Sequence, residues 1–200
     1  DTRTRAMQYP KRIRSVSTDY QLMRARVAMH AAKTPEEAVA IFRGELEGET
    51  LSEEAATYGL VLALTAAGRP DEAALTLDSI WSGHSDRIEY VIASAEIDLA
   101  RDNPRRALAT LERRLKLSPG NHPLTMAYAN ALHLAGAPHL AEAVLDEQSH
   151  QVSNDPGLWY LLAEVQGLAG NIVGLHRSRA EYFILINALD SVFHCMILFL

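Results

Sequence analysis

Residues 60–80 read LVLALTAAGRPDEAALTLDSI, and this stretch decides the fold. Leu60, Val61 and Leu64 recur at helical spacing, Gly68-Arg69-Pro70 breaks that helix, and Asp71-Glu72-Ala73 starts another whose stripe is Ala73, Leu77 and Ile80. The small side chain at Ala73 lets the two helices of the hairpin cross closely, where a larger one would push their axes apart. The same feature recurs along the chain. Ala38, Ala73, Ala107 and Ala141 are separated by 35, 34 and 34 residues, each just after a turn-like stretch. Self-similarity at this period predicts a stack of helix-turn-helix units, each too small to bury its apolar face alone.

Working outward, a third unit runs from about Ile88 to Pro119, with Ala95 in its first helix, a turn at Asp102-Asn103-Pro104, and Ala107, Leu108, Leu111 and Leu115 behind it. Ser118-Pro119-Gly120 ends it. A fourth carries Tyr128, Ala129, Leu132 and Gly136, then Ala141, Ala143 and Leu145, before the interruption at Ser153-Asn154-Asp155-Pro156-Gly157. The first unit uses Leu22, Ala25 and Met29, then Ala38 and Phe42 after Lys33-Thr34-Pro35. There Thr34-Pro35-Glu36-Glu37 supplies a cap, a proline at the first helical position and early acids.

The fifth unit opens with Trp159, Leu162 and Ala163, followed by Gly170; Leu175 replaces the crossing alanine. These residues match the start of the tetratricopeptide pattern, W-x2-L-G/A with its inter-helix glycine. Over residues 19–186 the five units resemble the tetratricopeptide repeat (TPR) family, which implies an all-α superhelix of antiparallel helix pairs.

The segment 187–200 reads differently. Val192-Phe193-His194-Cys195-Met196-Ile197-Leu198-Phe199-Leu200 has no charged side chain, although a solenoid normally ends in a helix with a polar outer face. Its phase fits a sixth unit, with a turn at Asn187 and Val192 at the crossing position. Three readings stay open for it: a final helix buried on Leu175 and Phe183, a contact between subunits of a homo-oligomer, or an altered end whose natural cap is missing.

Composition narrows the function. With 19 basic and 25 acidic residues mixed along the chain, the net charge of −6 offers no general basic field for phosphates, so nucleic acid is not an expected partner. The basic concentration at Arg3, Arg5, Lys11, Arg12 and Arg14 reads as a solvated terminal arm, with a docking strip as the alternative. Cys195 is the single cysteine, so neither an intrachain disulfide nor a Cys-rich zinc site is available; without a basic partner it reads as a small core residue. No apolar run is long enough to span a bilayer. The chain starts at Asp1 with neither an initiator methionine nor a secretory leader, and we expect a piece excised or processed from something longer.

Catalytic patterns are missing from the sequence. Helical zinc proteases need H-E-x-x-H, two imidazoles one turn apart with a carboxylate beside them, and none occurs. His122, His133, His139 and His150 flank one hairpin and its neighbouring loops but read as surface histidines rather than metal ligands. His84-Ser85-Asp86 holds the residue types of a hydrolase triad, yet consecutive loop residues cannot line up as nucleophile, base and orienter; it reads as an inter-repeat turn. No catalytic residue, metal ligand or cofactor site is expected here.

What remains is a surface. The TPR resemblance implies that the first helix of each unit lines a concave face, which assigns Tyr20, Arg24, His30, Tyr58, Glu89, Glu96, Asn130, His133, Tyr160 and Glu164 to a partner-binding groove. Aromatic anchors and polar groups together suit an extended or helical segment of another protein. Domains of this kind that clamp a C-terminal carboxylate use a Lys/Asn/Arg set, to which only Arg24 and Asn130 correspond; Glu89, Glu96 and Glu164 would repel such a tail.

A narrower resemblance rests on Asp1-Thr2-Arg3-Thr4-Arg5-Ala6 with Gln8-Tyr9-Pro10, and on Leu158-Trp159-Tyr160-Leu161-Leu162-Ala163-Glu164 leading into Arg177-Ser178-Arg179-Ala180-Glu181-Tyr182-Phe183. Up to about Leu189 the chain is similar to the C-terminal repeats of the periplasmic beta-barrel-assembly-enhancing zinc metalloproteases, the BepA or YfgC type. That resemblance implies an upstream protease domain holding zinc, trailed here by residues 1–18, and a periplasmic home in a Gram-negative bacterium. It also implies contact, through a groove that includes Arg177, with the barrel-assembly machinery and with unfinished outer-membrane proteins. The alternative is a free-standing TPR scaffold with an unrelated protein partner.

Overall fold

The computed structural model describes residues 17–48, 50–82 and 87–198, with side chains as far as residue 187. The described residues form α-helices in antiparallel pairs and no strand. The pairs are α1 (Thr18–Ala31) with α2 (Pro35–Glu47), α3 (Glu53–Ala66) with α4 (Pro70–Trp81), α5 (Ile88–Ala100) with α6 (Pro104–Leu117), α7 (His122–Leu134) with α8 (Pro138–Gln151), and α9 (Pro156–Leu168) with α10 (Ile172–Leu198).

Local sequence chemistry sets these boundaries. Pro35, Pro70, Pro104 and Pro138 open α2, α4, α6 and α8 at the first helical position, where the missing N–H costs nothing. Side-chain caps start other helices. The Ser52 hydroxyl accepts from the Ala55 N–H at 3.3 Å, Asn121 from Leu124 at 3.1 Å and Asp155 from Gly157 at 2.8 Å. Thr34 caps α2, while the Glu37 carboxylate one turn in accepts the Lys33 N–H at 2.8 Å.

The hairpins from the second to the fifth turn in one way. In the second, the Arg69 N–H donates to the Leu64 carbonyl at 2.9 Å and the Gly68 N–H to Thr65 at 3.2 Å, closing a Schellman turn. Asn103, Ala137 and Asn171 repeat the longer bond to Asp98, Leu132 and Gln166, each at 2.9 Å. The residue that must take a left-handed backbone therefore falls at 68, 102, 136 and 170, with φ of 70°, 56°, 75° and 77°. Three of these are glycine and the fourth is Asp102, so the turns mark the period as faithfully as the alanines do.

Ala38, Ala73, Ala107 and Ala141 are all buried at the crossings, and the residues four positions on, Phe42, Leu77, Leu111 and Leu145, are buried with them. The core is serial. One cluster joins Leu22, Phe42, Tyr58 and Leu64; a second joins Val91, Leu111 and Leu124; a third joins Leu145, Leu158, Trp159 and Leu162. This is how a solenoid buries apolar area, each unit supplying half of the next interface.

The last helix departs from the expected phase. No turn occurs at Asn187, because α10 runs unbroken from Ile172 to Leu198. Asparagine is only a mildly poor helix former, and neither glycine nor proline follows Gly174 to stop the chain. Leu175, at the crossing position, is half-buried, and Phe183 is largely exposed. The side chains of Val192 and Cys195 lie outside the described residues, as do the basic segment at residues 3–14 and the His84-Ser85-Asp86 turn. No described helix is long and apolar enough to cross a membrane.

Candidate protein-binding groove

The inner face of the stack is built by the first helix of every unit. α1, α3, α5, α7 and α9 together line a concave cavity of about 890 Å³. Its floor is apolar, with Leu22 and Met23 from α1, Ile92 from α5, Met126 from α7 and Leu161 from α9. The odd-numbered helices line it because the hairpin crossings turn the even-numbered helices to the outer face.

Of the positions assigned to the groove from sequence, Tyr20, Tyr58, Glu89, Glu96, Asn130, Tyr160 and Glu164 line this cavity. Tyr20 and Tyr160 are 54% and 51% exposed, so each presents an aromatic face to the cavity. Tyr58 is different, being fully buried against Tyr90 at 5.9 Å between ring centroids. It supports the wall and does not reach out. Four assigned positions stand outside the cavity. Arg24 donates to the Thr50 carbonyl at 3.3 Å, His30 is exposed on the last turn of α1, and His133 is half-buried at the end of α7. Arg177, on α10, borders a separate cavity of about 460 Å³ with His139, Glu142 and Asp146.

The residue that organises the electrostatics is Arg26, which sequence reading passed over. Its guanidinium donates to the Tyr58 hydroxyl through Nε at 3.1 Å and Nη2 at 2.9 Å, and to Glu96 through Nη1 at 3.2 Å. One side chain thus ties α1, α3 and α5 together beneath the groove. Burial opposes its charge, but Glu96 and Tyr58 more than offset this and hold its pKa above the ordinary arginine value. Burial likewise pushes the Tyr58 phenol up to about 12, against the pull of Arg26. Neighbouring α3 and α5 are joined again by Tyr90, which donates to Glu54 at 2.5 Å, and by Arg87, which pairs with Asp19 at 2.8 Å and with Glu54 at 3.5 Å. A single arginine, four residues after Leu22 on the inner stripe of α1, was the available signal.

At the far end Tyr160 stacks near Tyr182 at 5.6 Å, and Tyr182 meets Phe183 edge-on at 5.4 Å. With Glu164 and Arg179 these rings border a subsite of about 300 Å³ that continues the groove. A hydrogen bond to Glu164 raises the Tyr160 pKa. Among the histidines, His122 sits 2.8 Å from Asp155, and no three His, Cys, Asp or Glu side chains among the described residues form a metal-binding group. The arrangement offers concave apolar area, two exposed tyrosines and a rim of carboxylates.

Comparison with known proteins agrees with this geometry. Residues 98–165 match the family model described as tetratricopeptide repeat. Over 175 residues the chain is 27% identical to the beta-barrel assembly-enhancing protease of Yersinia pestis, an alignment covering 85% of this chain and 35% of that protein. The chain thus spans about a third of that relative's length. Among solved structures, a thermophilic TPR protein of Thermus thermophilus superposes with a TM-score of 0.68 at 19% identity, over 92% of this chain and 100% of that one. MamA from Desulfovibrio magneticus RS-1 gives 0.56 at 13% identity, over 85% and 97%. At such identities the structures speak to the fold alone, and that fold is the tetratricopeptide-repeat superhelix.

Proposed function

We propose that this tetratricopeptide-repeat solenoid is the recognition module of a periplasmic zinc metalloprotease, holding barrel-assembly components or unfinished outer-membrane proteins in its concave groove. The observation that carries the binding role is the cavity of about 890 Å³, continuous across five units, with an apolar floor between exposed Tyr20 and Tyr160. A site of that shape takes a length of polypeptide rather than a small metabolite, since its aromatic anchors stand at opposite ends. The link to barrel assembly rests on the resemblance to the Yersinia pestis protease. On this reading the segment selects clients, and cleavage belongs to a zinc-bearing domain elsewhere in the protein.

The test is photo-crosslinking in cells. A photoreactive residue at Tyr20 or Tyr160 should capture barrel-assembly proteins or outer-membrane barrels, whereas the same residue at Leu75, exposed on outer helix α4, should not. Equal capture from both faces, or none from the groove, refutes the assignment. If the groove captured only proteins unrelated to barrel assembly, the chain would be a TPR scaffold for another partner.

A further inference from the structure

Apart from its shape, the groove has an imbalance of charge among its described side chains. Among the described residues, Asp19, Glu89, Glu96 and Glu164 line it against Arg26 alone. Arg26 is already engaged, since its nitrogens are turned to Glu96 and to the Tyr58 hydroxyl. Asp19 is answered by Arg87. That leaves Glu89 on α5 and Glu164 on α9, which form no ion pair among the described residues. Arg179 borders the Glu164 subsite but is exposed and makes no ion pair there.

Two carboxylates beside an apolar floor disfavour an acidic ligand and leave a neutral one without a counter-ion for either group. The rings of Tyr160, Tyr182 and Phe183 next to Glu164 add the negative faces that attract an ammonium or guanidinium group. Accepting the groove as a protein-binding site, we propose that its occupant is an extended apolar segment carrying two basic side chains, one answering Glu89 and the other Glu164. α5 and α9 are two inner-helix steps apart, about 16–20 Å at ordinary interaxial spacing. Roughly five or six residues of extended chain span that distance. Basic residues at that separation, with apolar residues alternating between them, satisfy floor and rim together.

The experiment uses the full chain and three fluorescein-labelled peptides of alternating leucine and serine, differing only at two positions about six residues apart. Those positions carry lysine in the first, glutamine in the second and glutamate in the third. Fluorescence anisotropy should rank them lysine, glutamine, glutamate, with about tenfold or more between the extremes, a gap that narrows as salt is added. The double variant Glu89→Gln, Glu164→Gln, checked for native helicity by circular dichroism, should erase the ranking. If the glutamine or glutamate peptide binds as tightly as the lysine one, the charge assignment is overturned while the groove keeps its role. Should none of the three bind, both readings fall.

Discussion

Gly59 lies inside α3 with its α-carbon pressed against the ring of Phe42 from α2, and Gly59→Ala sets two known effects against each other. In a helix interior the change from glycine to alanine stabilises by about 1 kcal/mol through backbone entropy. Here the added methyl would run into Cδ1 and Cε1 of Phe42 and lie 2.6 Å from its Cζ, where carbon atoms ordinarily keep about 3.5 Å or more. Phe42 is fully buried, so the ring has no solvent to swing into and the two helices must part. Overpacking of that kind costs about 1–3 kcal/mol, and contact with several ring atoms at once puts this site at the upper end. The clash wins, for a net loss of about 1–2 kcal/mol. Gly44 provides the control, because nothing lies within 4 Å of a Cβ built there and Gly44→Ala should stabilise by about 0.5–1 kcal/mol. Urea unfolding followed by circular dichroism reads both. Repeating Gly59→Ala in a Phe42→Leu background, where the ring is gone, should remove most of the penalty and give a coupling energy above ~0.5 kcal/mol. A Gly59→Ala protein as stable as the parent, or an equal loss in the two backgrounds, would refute the packing argument.

The turns and the tyrosines can be tested in the same way. Asp102 holds a left-handed backbone where the other three turns use glycine, so Asp102→Gly should raise thermal stability by about 0.5–1 kcal/mol, while Gly136→Ala should lower it by about 1–2 kcal/mol; calorimetry distinguishes the signs. Tyr58, pushed up to about 12 mainly by burial, should be among the last of the seven tyrosines to ionise in an ultraviolet titration. The folded state then keeps a proton that the unfolded chain loses near pH 10. Its contribution to stability is full below about pH 10 and declines as pH rises towards 12. Because the charge on Arg26 draws this pKa down, Arg26→Met should move the Tyr58 transition higher still. All seven tyrosines titrating together near the ordinary value in a folded chain would contradict this.

Much of the fold was legible because its determinants are local. A cap, a proline, a left-handed residue and a small crossing residue are each written within a few positions, and three of the four left-handed residues of the hairpin turns are glycines spaced at multiples of 34. The turn at Asn187 failed for the opposite reason. Phase alone points to it, no residue there is able to break a helix, and α10 continues through it. The site was legible to the extent that helix register decides which side chains face inward, as Glu89, Glu96, Asn130, Tyr160 and Glu164 do. Burial of Tyr58 depends on Tyr90 and Arg26, on α5 and α1 to either side of it, and no local pattern carries that. Arg26 itself looks like any solvated helix residue until Glu96, 70 positions later in sequence, is placed beside it.

The end of the pattern is also where the groove acquires its most distinctive chemistry. In α2, α4, α6 and α8 the residue four positions after the crossing alanine is buried: Phe42, Leu77, Leu111 and Leu145. In α10 the corresponding residue is Arg179, which is exposed, while Ser178 just before it is buried and donates to Gln166 at 2.8 Å. Moving the buried stripe by one residue rotates a helix by about 100°. A charged side chain cannot enter the slot that phenylalanine or leucine fills in the earlier units, so the helix turns and satisfies a polar pair instead. The rotation sends Arg179, Tyr182 and Phe183 towards α9, where they border the subsite at Tyr160 and Glu164. Among the described residues no outer helix lines the main cavity, but α10 lends three side chains to the subsite that shares Tyr160 and Glu164 with it. The same departures that weaken the repeat signature at Leu175 and Arg179 thus bring an outer scaffold helix to the edge of the candidate groove.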